Sequence, residues 1–182
     1  MRSGNLNTPA HILELDADLN AITLDWVWCG IQTKESGDFA YPSGLRNPAK
    51  VTIRAWYDER LKQGRYLCAD QRLFHIDSTR DFSGNRAELA ITATEFIGQP
   101  ALYLPAGRPQ KCCRVFINHD AQHRDDMGQA TGYRTKVEAL LIETGRVQVD
   151  DRLQLNGVDY LVIDYADDSD DGIVRAMWLE RI

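Results

Sequence analysis

The chain has 182 residues, of which 43% are hydrophobic and 26% are charged. This composition is ordinary for a globular protein, and the length allows one domain or two small ones. The net charge of −6 argues against a protein that grips a phosphate backbone, because such proteins carry a basic stripe. The sequence contains no apolar run long enough for a transmembrane helix and no signal-peptide core at its N-terminus, so we expect a cytosolic protein without membrane contact.

Short apolar runs rich in β-forming residues fill the first half of the chain. The polar stretch 33–49 contains prolines and glycines, which predicts a loop, and Asp70-Gln71 is predicted to be a two-residue hairpin turn. Around these turn signals, strands are predicted over residues 11–15, 21–32, 50–57, 65–69, 72–79 and 87–95.

Residues 98–111 carry three prolines and two glycines. This composition is typical of an extended connector between domains. We therefore predict a domain boundary near residue 105, with one domain over 1–105 and a second over 106–182.

The second half repeats the order of the first. Asn156-Gly157 is a strong signal for a type I′ hairpin turn, which requires two positive φ angles. Residues 119–134 are predicted to be a long polar loop. The predicted strands cover residues 111–118, 135–144, 151–155, 158–166 and 173–182.

The two halves can be aligned letter by letter. Lys50 falls on Lys136 at an offset of 86, and Arg65 falls on Arg152 at an offset of 87, which implies one inserted residue. Regular turn signals between short apolar runs indicate antiparallel barrels or sandwiches. The predicted fold is all-β, with two small antiparallel β-barrel or sandwich domains in tandem and long polar loops.

Motifs of the common enzyme classes are missing from the sequence. The chain contains no G-x-S-x-G, H-E-x-x-H or G-x-x-x-x-G-K-[ST] pattern. His119 and His123 have the spacing of a helical metal pair, but they fall in a predicted loop, where this spacing does not place ligands on one face. We expect no catalytic residue, no metal and no cofactor.

Tryptophans and cysteines in the predicted strands are interpreted as core residues. Trp26, Trp28 and Trp56 could stack on bases, but core packing is the commoner role of a strand tryptophan. The four cysteines are expected to act as small buried hydrophobic residues in a reducing compartment: Cys29, Cys68, Cys112 and Cys113.

The first half resembles the phage head–tail joining family (head-closure, stopper and connector proteins) over about residues 1–96. The segments that carry the resemblance are Trp26–Ile31, Thr52-Ile53-Arg54, Arg65, Asp70-Gln71, Phe74-His75-Ile76, Asp81–Asn85 and Leu89–Glu95. The second half is more weakly similar to the head–tail attachment proteins of lambda-like phages. It matches them at Lys136-Val137, Asp151-Arg152, Ile163-Asp164, Asp170-Asp171-Gly172 and Trp178-Leu179.

The resemblance implies a structural protein of a tailed-phage neck. Such a protein forms a homo-oligomeric ring, of six or twelve copies, between the portal or adaptor ring and the tail terminator or tail tube. The ring closes the head after packaging and provides a channel through which viral DNA passes without specific binding. The expected location is the head–tail interface of the virion, with assembly in the host bacterial cytoplasm.

The two long loops are the predicted channel or docking elements, because loops on a rigid barrel carry contacts. An acidic channel would let DNA slide, although these residues could equally be solvated loop charges. The candidates are Glu35, Asp38, Arg46, Asp120, His123, Asp125, Asp126 and Arg134. The alternative function is an OB-like nucleic-acid-binding or regulatory module, which would need aromatic and basic side chains interleaved on one sheet face.

Overall fold

Two β-barrels make up the protein in the computed structural model, which describes residues 6–33, 44–81, 83–124, 128–166 and 170–182. The chain divides into two compact units, residues 1–96 and 97–182, and each unit contains one barrel. The predicted all-β fold class is confirmed. No helix in these described ranges is long and apolar enough to cross a membrane.

Barrel 1 is closed by six antiparallel strands in the order β1-β2-β3-β6-β5-β4, with β4 pairing back onto β1. The strands are β1 (Thr8–Leu15), β2 (Ala21–Thr33), β3 (Arg46–Trp56), β4 (Tyr66–Ala69), β5 (Arg72–Asp81) and β6 (Glu88–Phe96). Because strand side chains alternate between faces, every second residue points inward. These inward residues form the core, which includes Ile12, Val27, Ile53, Phe74, Ile76 and Ile91.

Barrel 2 has the same topology, β7-β8-β9-β12-β11-β10, closed by pairing of β10 with β7. Its strands are β7 (Gln99–Leu104), β8 (Lys111–Arg124), β9 (Ala130–Leu140), β10 (Arg152–Leu155), β11 (Val158–Tyr165) and β12 (Val174–Arg181). A four-residue helical turn, α1 (Leu141–Thr144), follows β9. The core includes Tyr103, Val115, Val137, Leu153, Val162 and Met177.

The segment predicted to connect the domains is instead the first strand of barrel 2. Strand β7 pairs with β8 on one side and with β10 on the other, so the units separate after Phe96 rather than near residue 105. Pro100 lies opposite Arg114 of β8, whereas β10 pairs only with Leu102–Leu104. A proline is tolerated at a position with one strand neighbour, because its missing N–H removes no second ladder bond.

The offset of 87 that letter matching suggests for the later part of the two halves is wrong. The β4–β5 and β10–β11 hairpins turn at Asp70-Gln71 and Asn156-Gly157, all with positive φ. Each later strand then carries a β-bulge, at Asp77 in β5 and at Ile163 in β11. Both features lie 86 residues apart, so the offset in this part of the two halves is 86 and not 87. The match of identical residues is therefore one position out of register in these strands, and residues one position apart on a strand face opposite sides of the barrel.

The predicted loop 119–134 is largely a β-ribbon. Strand β8 runs to Arg124, and β9 begins at Ala130. In this part of the ladder, Ala121 pairs with Arg134 and Gln122 pairs with Tyr133, beyond the residues that pair with β7 and β12. We call residues 121–124 with 130–134 the hairpin arm. Other boundaries also shift: β3 already begins at Arg46, and residues 141–144 form α1 instead of a strand end.

Only two of the four cysteines behave as core residues. Cys29 and Cys113 are buried, Cys68 is half-buried and Cys112 is exposed. Burial raises the pKa of the Cys29 thiol to about 11 and that of Cys113 to about 12. Both buried thiols therefore stay protonated at neutral pH and have little nucleophilic character.

Candidate functional site

Four of the eight predicted channel or docking residues lie in the described part of the chain. Arg46 is exposed at the start of β3, and Asp120 is exposed beside an irregularity in β8. Arg134 is exposed on the hairpin arm, and His123 is half-buried there. The other four lie outside the described residues: Glu35, Asp38, Asp125 and Asp126. The structure brings the β8–β9 residues onto one ribbon and leaves Arg46 in the other barrel.

The inner side of the hairpin arm packs on barrel 2. Ala121 is buried with Trp178 of β12, and the His123 ring lies edge-on to the Trp178 ring, with centroids 5.0 Å apart. His123 Nδ1 lies 2.8 Å from Thr131 Oγ1 across the ribbon. His123 thus holds the arm in place, while His119 is exposed. Within the described residues, no group of three His, Cys, Asp or Glu side chains could hold a metal ion.

Three of the four tryptophans are exposed, which contradicts their predicted place in the core. On β2, Val27 and Cys29 point into barrel 1, so Trp26 and Trp28 point outward. Their side chains are 52% and 44% exposed, and their rings meet edge to face with centroids 5.7 Å apart. Large exposed aromatic side chains in a neighbouring pair mark an interaction surface.

The third exposed tryptophan continues this surface onto the next strand. Cys29 of β2 pairs with Ala55 of β3, and the same register places Trp28 across from Trp56. Trp56 is 50% exposed. Residues directly opposite each other on paired strands share a face, so the two strands present one outer surface.

Strand β1 supplies the other edge of this surface. Pro9 pairs with Trp28, and His11 pairs with Trp26. Both β1 residues are exposed. We call the surface formed by Trp26, Trp28, Trp56, Pro9 and His11 the tryptophan face.

Charged groups next to the tryptophan face are already paired. Arg54 Nη1 donates to Glu88 Oε1 at 3.2 Å, and Glu88 lies opposite Trp56 on β6. At the other end, Arg60 donates to both Asp25 and Asp58. The backbone N–H of Trp26 and the guanidinium of Arg60 hold the pKa of Asp25 below its ordinary value. These ion pairs neutralise both arginines, Arg54 and Arg60.

A polar cluster on the outside of barrel 1 ties three strands together. Lys50 Nζ donates to Asp77 Oδ2 at 2.9 Å and to Thr94 Oγ1 at 2.6 Å, while Thr94 donates to Asp77 at 2.8 Å. His75 Nδ1 lies 3.2 Å from Asp77 Oδ1. A lysine that donates to Thr94 cannot act as its base. These contacts therefore form a structural hydrogen-bond network around Asp77, the residue at the β-bulge of β5.

Removal of the Asp77 charge should produce a pH-dependent loss of stability. Burial raises the pKa of Asp77, but hydrogen bonds from Lys50, Thr94 and His75 outweigh it and lower the pKa overall. A carboxylate with a lowered pKa stabilises the fold above its unfolded pKa of about 4, and this contribution disappears as the pH falls further. Asp77→Asn should cost about 1–3 kcal/mol at pH 7.

Urea unfolding at pH 7 and at pH 3 tests this expectation. The difference in unfolding free energy between wild type and Asp77→Asn should shrink at pH 3. Asp70→Asn, in the exposed β4–β5 turn, is the matched control and should change stability by less than about 0.5 kcal/mol. A pH-independent deficit for Asp77→Asn would show that shape rather than charge explains its role.

No family model, curated protein or solved structure matches the chain. The function must therefore be inferred from its own residues. The tryptophan face is the main feature that the sequence interpretation missed. The alternation of residues 26–29 shows only that the two tryptophans share one face and that Val27 and Cys29 share the other; the burial of Val27 and Cys29 in the structure decides which face is outside.

Proposed function

We propose that the chain is a structural protein of a tailed-phage neck, which forms a ring between the portal side and the tail and lets DNA pass. The observation that carries this proposal is a pair of closed barrels of identical strand order, one of which leaves an aromatic face uncovered. A rigid repeated scaffold with an uncovered apolar face is suited to assembly. The resemblance of the first half to head–tail joining proteins indicates which assembly this would be, namely the ring between the portal side and the tail.

The polar groups of the described residues support a structural role. Asp77 is bonded to Lys50, Thr94 and His75, and the buried Asp151 is bonded to its own neighbours in barrel 2. Catalytic sites need groups aimed at a substrate, within a pocket where perturbed side chains converge. Here the interacting carboxylates are instead occupied by contacts within the barrel wall.

The tryptophan face also favours a second candidate, an OB-like module that stacks nucleic-acid bases. Exposed aromatic side chains on barrel strands are typical of single-strand binding, where each stacked base contributes about 1–3 kcal/mol. Such sites also need basic side chains that follow the phosphates. Arg54 and Arg60 are instead paired with carboxylates, which favours the neck protein.

A DNA-binding titration separates the two candidates. The neck protein should bind neither single- nor double-stranded DNA measurably at physiological salt. Any weak DNA binding at low salt should be equally strong in wild type and in the Trp26→Ala variant. Micromolar binding that falls steeply with salt and is lost in Trp26→Ala would favour the nucleic-acid module.

Localisation in the particle tests the proposed function itself. Antibody labelling of purified tailed particles that carry the gene should place the chain at the head–tail junction. Deletion of the gene should leave heads without attached tails. Absence of the chain from particles, together with normal tailed particles from the deletion strain, would overturn the proposal. The channel or docking roles of Arg46, Asp120, His123 and Arg134 stay predictions.

A further inference from the structure

We infer that the tryptophan face of barrel 1 binds the hairpin arm of barrel 2 from a second copy of this chain, with Tyr133 of the arm against Trp26 and Trp28. The inference rests on the proposed function in one respect: it takes the ring to be built from identical copies. It goes further by naming the two surfaces that meet. Their chemistry is aromatic on both sides.

Barrel 2 covers part of the surface that is equivalent to the tryptophan face, although Cys112, the equivalent of Trp26, is exposed. Trp28 on the second strand of barrel 1 lies opposite Pro9, and Arg114 on the second strand of barrel 2 lies opposite Pro100. The two positions are therefore equivalent. Arg114 is covered by Glu143 of α1, which accepts its backbone N–H at 2.7 Å and its Nε–H at 2.8 Å.

The third strands of the two barrels, β3 and β9, also differ in exposure at equivalent positions. Trp56 follows Ala55 at the end of the β2–β3 ladder, and Leu140 follows Ala139 at the end of the β8–β9 ladder. Leu140 is 0% exposed, whereas Trp56 is 50% exposed. At these two positions barrel 2 has Arg114, held by Glu143 of α1, and the buried Leu140, while barrel 1 carries exposed tryptophans.

The tryptophan face is suited to an uncharged partner surface, such as the exposed aromatic side chain of the hairpin arm. Each copy has a net charge of −6, so two copies can associate only through surfaces that add little further charge repulsion. The tryptophan face is such a surface, because the adjacent Arg54 is paired with Glu88. A phosphate-bearing partner would have to compete with the carboxylates already paired with Arg54 and Arg60.

The hairpin arm supplies a matching surface. Tyr133 is 73% exposed, the largest value among the exposed large hydrophobic residues of the described chain. It pairs with Gln122, so it points away from the side on which Ala121 and His123 pack against Trp178. The packed side fixes the ribbon before binding, and a pre-organised aromatic side chain loses little entropy on association.

The contact joins two different surfaces, which makes it heterologous. A heterologous contact that closes on rotation builds a ring, whereas a contact of one surface with itself builds only a pair. The same geometry predicts that a copy with a damaged face still offers a good arm, and a copy with a damaged arm still offers a good face.

Complementation between two variants tests this geometry. Trp26→Ser/Trp28→Ser damages the face, Tyr133→Ser damages the arm, and Ile182→Ser changes an exposed hydrophobic residue at the C-terminus. Analytical ultracentrifugation over a wide concentration range should show that wild type and Ile182→Ser self-associate. Each of the other two variants alone should associate at least about 10-fold more weakly. An equimolar mixture of the two should form a one-to-one heterodimer that grows no further.

Several outcomes would overturn the inference. Normal association of Tyr133→Ser, with loss only in the tryptophan variant, would indicate contact of the face with itself. If every variant associated as strongly as wild type, or if wild type stayed monomeric at all concentrations, neither surface would be a site of self-association. Circular dichroism and thermal unfolding of each variant should match wild type, because the replaced side chains are exposed. Particle labelling still tests the neck location separately from all these results.

Discussion

Replacement of Asp151 with alanine should lower the free energy of unfolding of barrel 2 by about 3–5 kcal/mol. Asp151 is 2% exposed. Its carboxylate accepts hydrogen bonds from the Tyr103 hydroxyl, from the Ala106 N–H at 2.9 Å and from the Gln148 N–H at 2.8 Å. Alanine would leave these three donors without their acceptor, and each unsatisfied buried group costs about 1–3 kcal/mol.

The large expected effect follows from the position of Asp151 at the closing seam. It directly precedes β10, which pairs with β7, and Tyr103 is a fully buried residue of β7. The Asp151 carbonyl also accepts the Val162 N–H of β11 at 2.9 Å. Burial, together with Asp151, raises the pKa of Tyr103, so its hydroxyl stays protonated and donates. The residue thus joins the first, fourth and fifth strands of the barrel.

Denaturant unfolding with two further variants makes the test specific. Asp151→Asn keeps the shape and one acceptor oxygen, so it should fall between wild type and alanine. Asp120→Ala removes an exposed carboxylate from the same barrel and should change stability by less than about 0.5 kcal/mol. If Asp151→Ala lies within about 1 kcal/mol of wild type, the three donors find other partners and the seam does not depend on this carboxylate.

The barrel pattern was predictable because local rules and tertiary structure agree there. Asp70-Gln71 and Asn156-Gly157 adopt the positive φ angles that a two-residue hairpin turn requires. Along β10 buried side chains alternate with more exposed ones, whereas β4 and β5 also bury some neighbouring residues. These hairpins set the repeated architecture, so the fold class follows from the sequence even though the letter alignment slips by one residue.

The tryptophan face escaped prediction because β2 is apolar on both sides. When one face of a strand is polar, alternation identifies the buried face. Residues 26–29 offer tryptophan on one face and valine or cysteine on the other, so hydrophobicity alone does not choose between them. The narrow interior of a closed six-stranded barrel decides the question in favour of the smaller residues, Val27 and Cys29.

Two strand segments were missed for different physical reasons. Strand β7 carries Pro100, which predicts a connector unless its one-sided pairing is known. The hairpin arm is largely exposed, so it lacks the apolar alternation that marks a half-buried strand. Its inner side packs on Trp178, which lies far along the chain and cannot be matched to Ala121 by local pattern.

Replacement of Trp178 with alanine should release the hairpin arm as well as destabilise barrel 2. Trp178 is 8% exposed and packs with Ala121, Ala166 and Ala176, while the His123 ring meets it at an interplanar angle of 67°. Loss of a buried tryptophan costs about 3–5 kcal/mol. Because these small alanine neighbours cannot fill the space, we expect a cost in the upper part of that range.

Hydrogen exchange distinguishes release of the arm from a general loss of stability. In Trp178→Ala, the amides of residues 121–124 and 130–134 should exchange faster than those of β10 and β11. Trp56→Ala removes an exposed tryptophan from barrel 1 and should leave arm exchange unchanged, with a stability cost below about 1 kcal/mol. If the arm keeps its protection in Trp178→Ala, pairing of β8 with β9 alone holds the ribbon. Tyr133 would then be presented by the ribbon itself, without support from the barrel wall.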